Sequence, residues 1–186
     1  NSPFWFGQDS GLASARTVIF RSYPRAAMAP EFDDIEHFKR VTTEVCRAAG
    51  IDDYTHIWWA ARIHPALGTV EIRAADTQFD IRRTAAIAAL THCLVRLEAE
   101  RDQSGIPSRE ALAESSFQAT RHGLAAVLLD REAQRVPARD LARRRLHEVA
   151  GIADELDCAA LQRAAFREGG MDGLLDFLER RTSELG

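Results

Sequence analysis

The chain has 186 residues, a formal net charge of −4, and 46% hydrophobic and 28% charged residues, which is the balance of an ordinary globular domain. Mild negative charge gives no electrostatic reason to expect a nucleic-acid partner, and no apolar run approaches the length that crosses a bilayer. One domain that buries a real core is expected over residues 1–186.

The opening NSPFWFGQDSG lacks a basic segment followed by an apolar stretch, so no secretory signal is expected there. Aromatic residues at a terminus, which is ordinarily polar and frayed, suggest a cut through a longer chain. Up to residue 30 the sequence is punctuated by Gly, Ser and Pro around one apolar run, Thr17 to Phe20. Residues 31–49 carry Ile35, Phe38, Val41, Val45 and Ala48 at helical spacing, with acidic residues in the first turns and Gly50 as a stop. Two short segments of strand character follow, IWWAAR (57–62) and TVEIR (69–73), joined by a plausible turn, His64 to Gly68.

Residues 80–102 read as a long helix, and residues 108–122 as another that Ser108 can cap. Residues 124–129 and 134–137 suit a small hairpin. Three further helices are expected over 138–157, 159–168 and 171–185. The class is α+β, a few strands and then mostly helix. Two strands are marginal by themselves, so other strands are expected to pair with them from elsewhere.

The sharpest chemical feature is GTVEIRAAD (68–76). On a strand, Val70, Ile72 and Ala74 face one way and Thr69, Glu71 and Arg73 the other. One reading is a half-buried strand with a solvated charged face. The other draws in the neighbouring strand. If Arg62 pairs with Thr69, Ala60 lies opposite Glu71 and Trp58 opposite Arg73, with Arg62 on the same face. Arginines, a carboxylate and a Trp on one sheet face suit a polyphosphate held through a divalent metal. The carboxylate would hold the metal and the arginines would bind phosphoryl oxygens in bidentate fashion. In NSPFWFGQDSGLASAR, Gly7 and Gly11 allow close backbone approach beside Asp9, Ser14 and Arg16, although a surface loop would look the same.

NSPFWFGQDSGLASARTVIFRSYPR, IWWAARIHPALGTVEIRAAD, ESSFQATRHGL and the closing FREGGMDGLLDFLERR together resemble the C-terminal half of the glutamate–cysteine ligase type 2 family, bacterial carboxylate–amine ligases related to γ-glutamylcysteine synthetase. The resemblance implies part of a glutamine-synthetase-like catalytic fold, an antiparallel sheet packed by helices. It implies an ATP- and Mg2+-dependent reaction in which a carboxylate, typically the γ-carboxylate of glutamate, is phosphorylated and an amine, typically that of cysteine, attacks the acyl phosphate; the cytoplasm is expected from the three cysteines, whose odd number and spacing suit reduced thiols in a cytosol. By the same resemblance Glu71 matches a metal-binding glutamate and Arg73 a phosphate-contacting arginine. Arg62 stands with Arg73 as a candidate catalytic residue, Arg16 with Arg73 as a candidate nucleotide-binding residue, and Asp76 at a further motif position.

Two departures stand out: the family commonly has Asp where this chain has Ala60, and Pro where it has Ile63. The family's N-terminal half, whose glutamate-rich first strand supplies further metal ligands, has no counterpart here. Two readings follow. The chain is an enzyme half that completes its site with another segment or partner chain, or it is a non-catalytic subunit or relic of the fold.

The six histidines show no metal-ligand spacing, and His64 reads as a turn residue. Cys46, Cys93 and Cys158, without CxxC spacing, fit reduced thiols that act as small buried hydrophobes. Arg143, Arg144 and Arg145 read as a solvated helix face. Trp58 and Trp59 point to opposite sides of their strand, so at least one belongs to a core.

Overall fold

The computed structural model describes residues 2–78, 80–102 and 104–159. The helices expected over 159–168 and 171–185, and the closing FREGGMDGLLDFLERR, lie outside the described residues, apart from Ala159. The chain divides into two compact units, one of residues 16–75 and one of residues 1–15 with 76–186.

In the unit of residues 16–75, the apolar run at Thr17–Phe20 belongs to helix α1 (Ala15–Ser22). Helix α2 (Ile35–Ala49) starts four residues later than its acidic leader suggests, because Asp34 is the cap and its carboxylate accepts the His37 N–H at 2.6 Å. Gly50 ends α2 at φ 63°, the left-handed conformation that a glycine adopts without steric cost. The apolar stripe of α2 packs through fully buried Phe38 onto Ile57 and Trp59, with Phe32, Val41, Val45 and Tyr54 around them. Of the two tryptophans, Trp59 is the core residue, while Trp58 is half-buried and meets Tyr23 edge-on.

The first expected strand is displaced. Residues 54–56 make a 3-10 turn, and Ile57 follows it into the core. Trp58 and Ala60 then donate their N–H groups to the carbonyls of Arg25 and Ala27. The ladder begins only at β3 (Ala61–His64), which pairs antiparallel with β4 (Thr69–Ile72). His64 is thus the last residue of a strand, and Gly68, at φ 63°, closes the turn.

In the other unit, Phe4–Trp5 (β1) and Gln8–Asp9 (β2) form a hairpin within a stretch whose Gly, Ser and Pro content suits a loop. Its two central residues, Phe6 and Gly7, both have positive φ, as a two-residue turn matched to strand twist requires. Helix α3 (Ile81–Glu100) is capped by Asp80, and α4 (Arg109–His122) by Ser108. The hairpin expected near 124–137 is present as β5 (Val127–Leu129) and β6 (Arg135–Pro137). The single helix expected over 138–157 is two, α5 (Ala138–Glu148) and α6 (Ala150–Glu155), broken at Val149, whose side chain is fully buried. The core of this unit joins Ala89 and Cys93 of α3 to Val149, Ala153 and Cys158.

The arginine run on α5 is not merely solvated. Arg144 pairs with buried Asp130 at 3.1 Å, and Arg145 with Glu148 at 2.8 Å and Glu98 at 3.4 Å. The α+β class holds: helices carry most of the described chain, beside three two-stranded antiparallel pairs. No helix among the described residues is long and apolar enough to cross a membrane.

Candidate functional site

The β3–β4 hairpin places the candidate residues by its register. Arg62 lies directly across from Glu71, and His64 from Thr69. This corrects the expected pairing of Arg62 with Thr69 by two residues. The shift preserves the face, because side chains alternate with a period of two. Arg62, Glu71 and Arg73 therefore share one side of the hairpin as the alternation implies. The Arg73 N–H donates to the Ala60 carbonyl at 2.7 Å and continues the ladder past β4. Position 60 consequently lies across from Arg73, not from Glu71, and the carboxylate that Ala60 lacks would have faced that arginine.

The charged side is the inner one. Arg62 is 5% exposed, whereas Val70 and Ile72 on the opposite side are 49% and 40% exposed. A half-buried strand with a solvated charged face predicts the reverse. The inversion has a local cause, because the 3-10 turn at 54–56 lies over Arg62. Arg62 Nη1 donates to the carbonyls of Thr55 at 2.6 Å and Ile57 at 3.0 Å, and lies 3.5 Å from that of Tyr54. Its guanidinium also stands 5.9 Å from the Tyr54 ring centre. Its Nη2 donates to Glu71 Oε2 at 2.5 Å.

Glu71 is shared. Its Oε1 lies 2.6 Å from Arg73 Nη2, so each carboxylate oxygen meets one arginine. Arg16, at the start of α1, donates through Nη2 to the Arg73 carbonyl at 2.9 Å, and its guanidinium lies 5.0 Å from the Phe20 ring centre. Two arginines, Arg62 and Arg73, and one carboxylate, Glu71, share this hairpin side, so it is locally cationic in a chain of net charge −4. Two buried donors on it, Arg62 Nε and Arg73 Nε, have no hydrogen-bond partner among the described residues. Orphaned buried N–H groups are costly, and on arginine they suit an anion with several acceptor oxygens.

A metal fits these residues less well. Both oxygens of Glu71 are engaged by arginines. Among the described residues no three His, Cys, Asp or Glu side chains gather where they could hold an ion. A hard cation such as Mg2+ needs near-octahedral oxygen ligation, and Glu71 alone does not provide it. In the other unit, the remaining motif residue Asp76 accepts a hydrogen bond from the Ser14 hydroxyl at 3.1 Å.

Tyr54, Thr55 and Ile57 carry no signal in the sequence because they hold Arg62 through backbone carbonyls, which every residue type carries. His64, expected in a turn, stands on the charged side with Nδ1 3.2 Å from the Tyr54 hydroxyl. Its place two residues from Arg62 in the same strand is the signal that could have found it.

Comparison with known proteins agrees with the motif reading. The sequence profile of the glutamate–cysteine ligase family 2 matches residues 1–173. A Haloferax volcanii protein named glutamate–cysteine ligase is 34% identical over 96% of this chain and 52% of its own length. A Natronomonas pharaonis protein of the same name is 35% identical over 94% of this chain and 51% of its own length. A Rubrobacter xylanophilus protein, provisionally named glutamate–cysteine ligase 2-3, is 41% identical over 98% of this chain and 54% of its own length. The chain thus spans about half the length of the curated relatives it matches. Matched by this profile over residues 1–173 and by these relatives over nearly its whole length, the chain belongs to the glutamate–cysteine ligase family 2.

Proposed function

We propose that this chain is part of an ATP-dependent carboxylate–amine ligase of the cytoplasm, in which it supplies part of the site for the nucleotide's phosphates. The reading takes the chain as the C-terminal half of a glutamine-synthetase-like catalytic domain, completed by the missing N-terminal half or by a partner chain in an oligomer. The reaction is amide formation through an acyl phosphate, with a glutamate-like carboxylate and an amine such as cysteine as substrates. The observation that carries the reading is the buried Nε of Arg73, unpartnered among the described residues, on a residue whose Nη2 grips Glu71 and whose carbonyl is held by Arg16.

The residues divide the work as follows. Arg73 donates to phosphoryl oxygens and stabilises the charge that grows as the γ-phosphoryl group moves to the carboxylate. Arg62, caged by three carbonyls, fixes Glu71 and through it Arg73. Arg16 belongs to the same phosphate-facing group. ATP with Mg2+ completes the reading. Glu71 is the candidate metal ligand in this chain, and the other ligands come from polypeptide outside it.

A second reading, a non-catalytic subunit of the fold, is favoured by Ala60, which leaves Arg73 without a carboxylate across the ladder. ADP release by the chain assembled with the other half of the ligase, given glutamate, ATP, Mg2+ and a panel of amines, separates the two readings. Amine-dependent ADP release supports the ligase; silence with every amine supports the non-catalytic subunit.

A further inference from the structure

Two buried thiols meet in the core beneath α3. Cys93, on α3, is 0% exposed, and Cys158, just beyond α6, is 7% exposed. Their Sγ atoms lie 3.4 Å apart across 65 residues of sequence. Neither is part of a disulfide, and the alanines at 89, 153 and 159 belong to the same buried cluster. A disulfide bond is about 2.05 Å long, so each sulfur needs to move by only roughly 0.7 Å. The third thiol, Cys46, is partly buried and packs against Phe38, Ile57 and Trp59 in the other unit.

We propose that Cys93 and Cys158 are a reversible disulfide site, oxidised by exchange with a low-molecular-weight disulfide, which ties α3 to the segment after α6. Cys158 is the more accessible of the pair and reacts first. Its thiolate attacks one sulfur of the small disulfide and expels one small thiol, which leaves a mixed disulfide. The Cys93 thiolate then attacks the Cys158 sulfur and expels the second small thiol. Two electrons pass from the protein sulfurs to the small disulfide, and the two thiol protons end on the two small thiols. The bond closes a loop of 65 residues, long enough to restrict the unfolded chain and raise Tm.

The test treats the native 186-residue chain with hydroxyethyl disulfide, unfolds it, blocks the remaining thiols with iodoacetamide and weighs it. The expected product holds one cross-linked peptide joining Cys93 and Cys158, and its third thiol, Cys46, carries either a single blocking group or a single hydroxyethylthio adduct. Dithiothreitol reverses it, and the oxidised chain melts at a higher temperature. Cys93→Ala is expected to stop at the mixed disulfide on Cys158. Should that variant not fold, the wild type treated in urea is the control, where pairing should scramble among the three cysteines. Cys93 and Cys158 both still blockable after native treatment, a persistent adduct on Cys158 of the wild type, or a link that includes Cys46 would overturn the proposal.

Discussion

Arg62 and Glu71 face each other across the β3–β4 ladder, Nη2 to Oε2 at 2.5 Å, with the arginine buried and the glutamate partly open. The pair is asymmetric, and its members have different expected consequences when removed. Arg62 is satisfied chiefly by backbone carbonyls and cannot leave its place without stranding them. Glu71 is satisfied by two arginines and keeps one when the other turns away.

Replacement of Arg62 is accordingly a stability lesion. Arg62→Ala leaves the carbonyls of Thr55 and Ile57 without their donor and Glu71 with one partner fewer, at a cost of roughly 3 kcal/mol. Arg62→Lys should recover only part of this, because an ammonium does not span the carbonyls and the carboxylate as the planar fork does. Urea unfolding of the isolated chain measures both. A midpoint for Arg62→Ala equal to the wild type would remove the structural role assigned to Arg62.

Arg73 and Glu71 should instead register in turnover. In the assembled ligase, Arg73→Ala is expected to lower kcat by roughly a hundred- to a thousandfold, the usual effect of losing one donor to transition-state charge. Arg73→Lys should fail to rescue it. Glu71→Gln keeps the strand's shape but weakens the hold on Arg73 and the dependence on Mg2+. ADP release at saturating ATP is the measurement, and turnover unchanged in all three variants would return these residues to a purely structural face.

Ala60 offers a gain rather than a loss. Ala60→Asp sets a carboxylate across from Arg73, where the backbone already pairs. That carboxylate competes with Glu71 for Arg73 and frees a Glu71 oxygen for metal ligation. The assembled variant is expected to need less Mg2+ for half-maximal ADP release than the wild type. An unchanged Mg2+ requirement would show that position 60 does not communicate with Glu71.

Acid stability should carry the signature of the α3 cap. The Arg82 side chain, and then the Arg82 backbone N–H, hold the Asp80 carboxyl at about 2, below its ordinary 3.8. A folded value below the unfolded one means that the ionised cap stabilises the fold above about pH 4. That contribution is lost as the pH falls through 3.8 toward 2. Asp80→Asn retains a capping oxygen but does not titrate, so its helix content, followed by far-UV circular dichroism, should lack this part of the acid transition. An acid profile identical to the wild type would contradict the assignment.

What the sequence determined by itself was local or periodic. Gly50 and Ser108 are legible as helix punctuation because caps act within three or four residues of chain, whereas Asp34 and Asp80, expected inside their helices, are the caps just before them. The shared face of Arg62, Glu71 and Arg73 was legible because strand alternation survives an error of two residues in register. The register itself, and which side of the hairpin turns inward, were decided only by tertiary structure. They depend on where residues 54–57 lay their carbonyls and on which residues, Arg25 and Ala27, pair with the chain before β3. Backbone carbonyls are identical at every position, so no residue type announces that Arg62 will be buried among them. The approach of Cys93 to Cys158 was hidden for a related reason, since the packing of α3 against the segment after α6 joins residues 65 apart that no local pattern links.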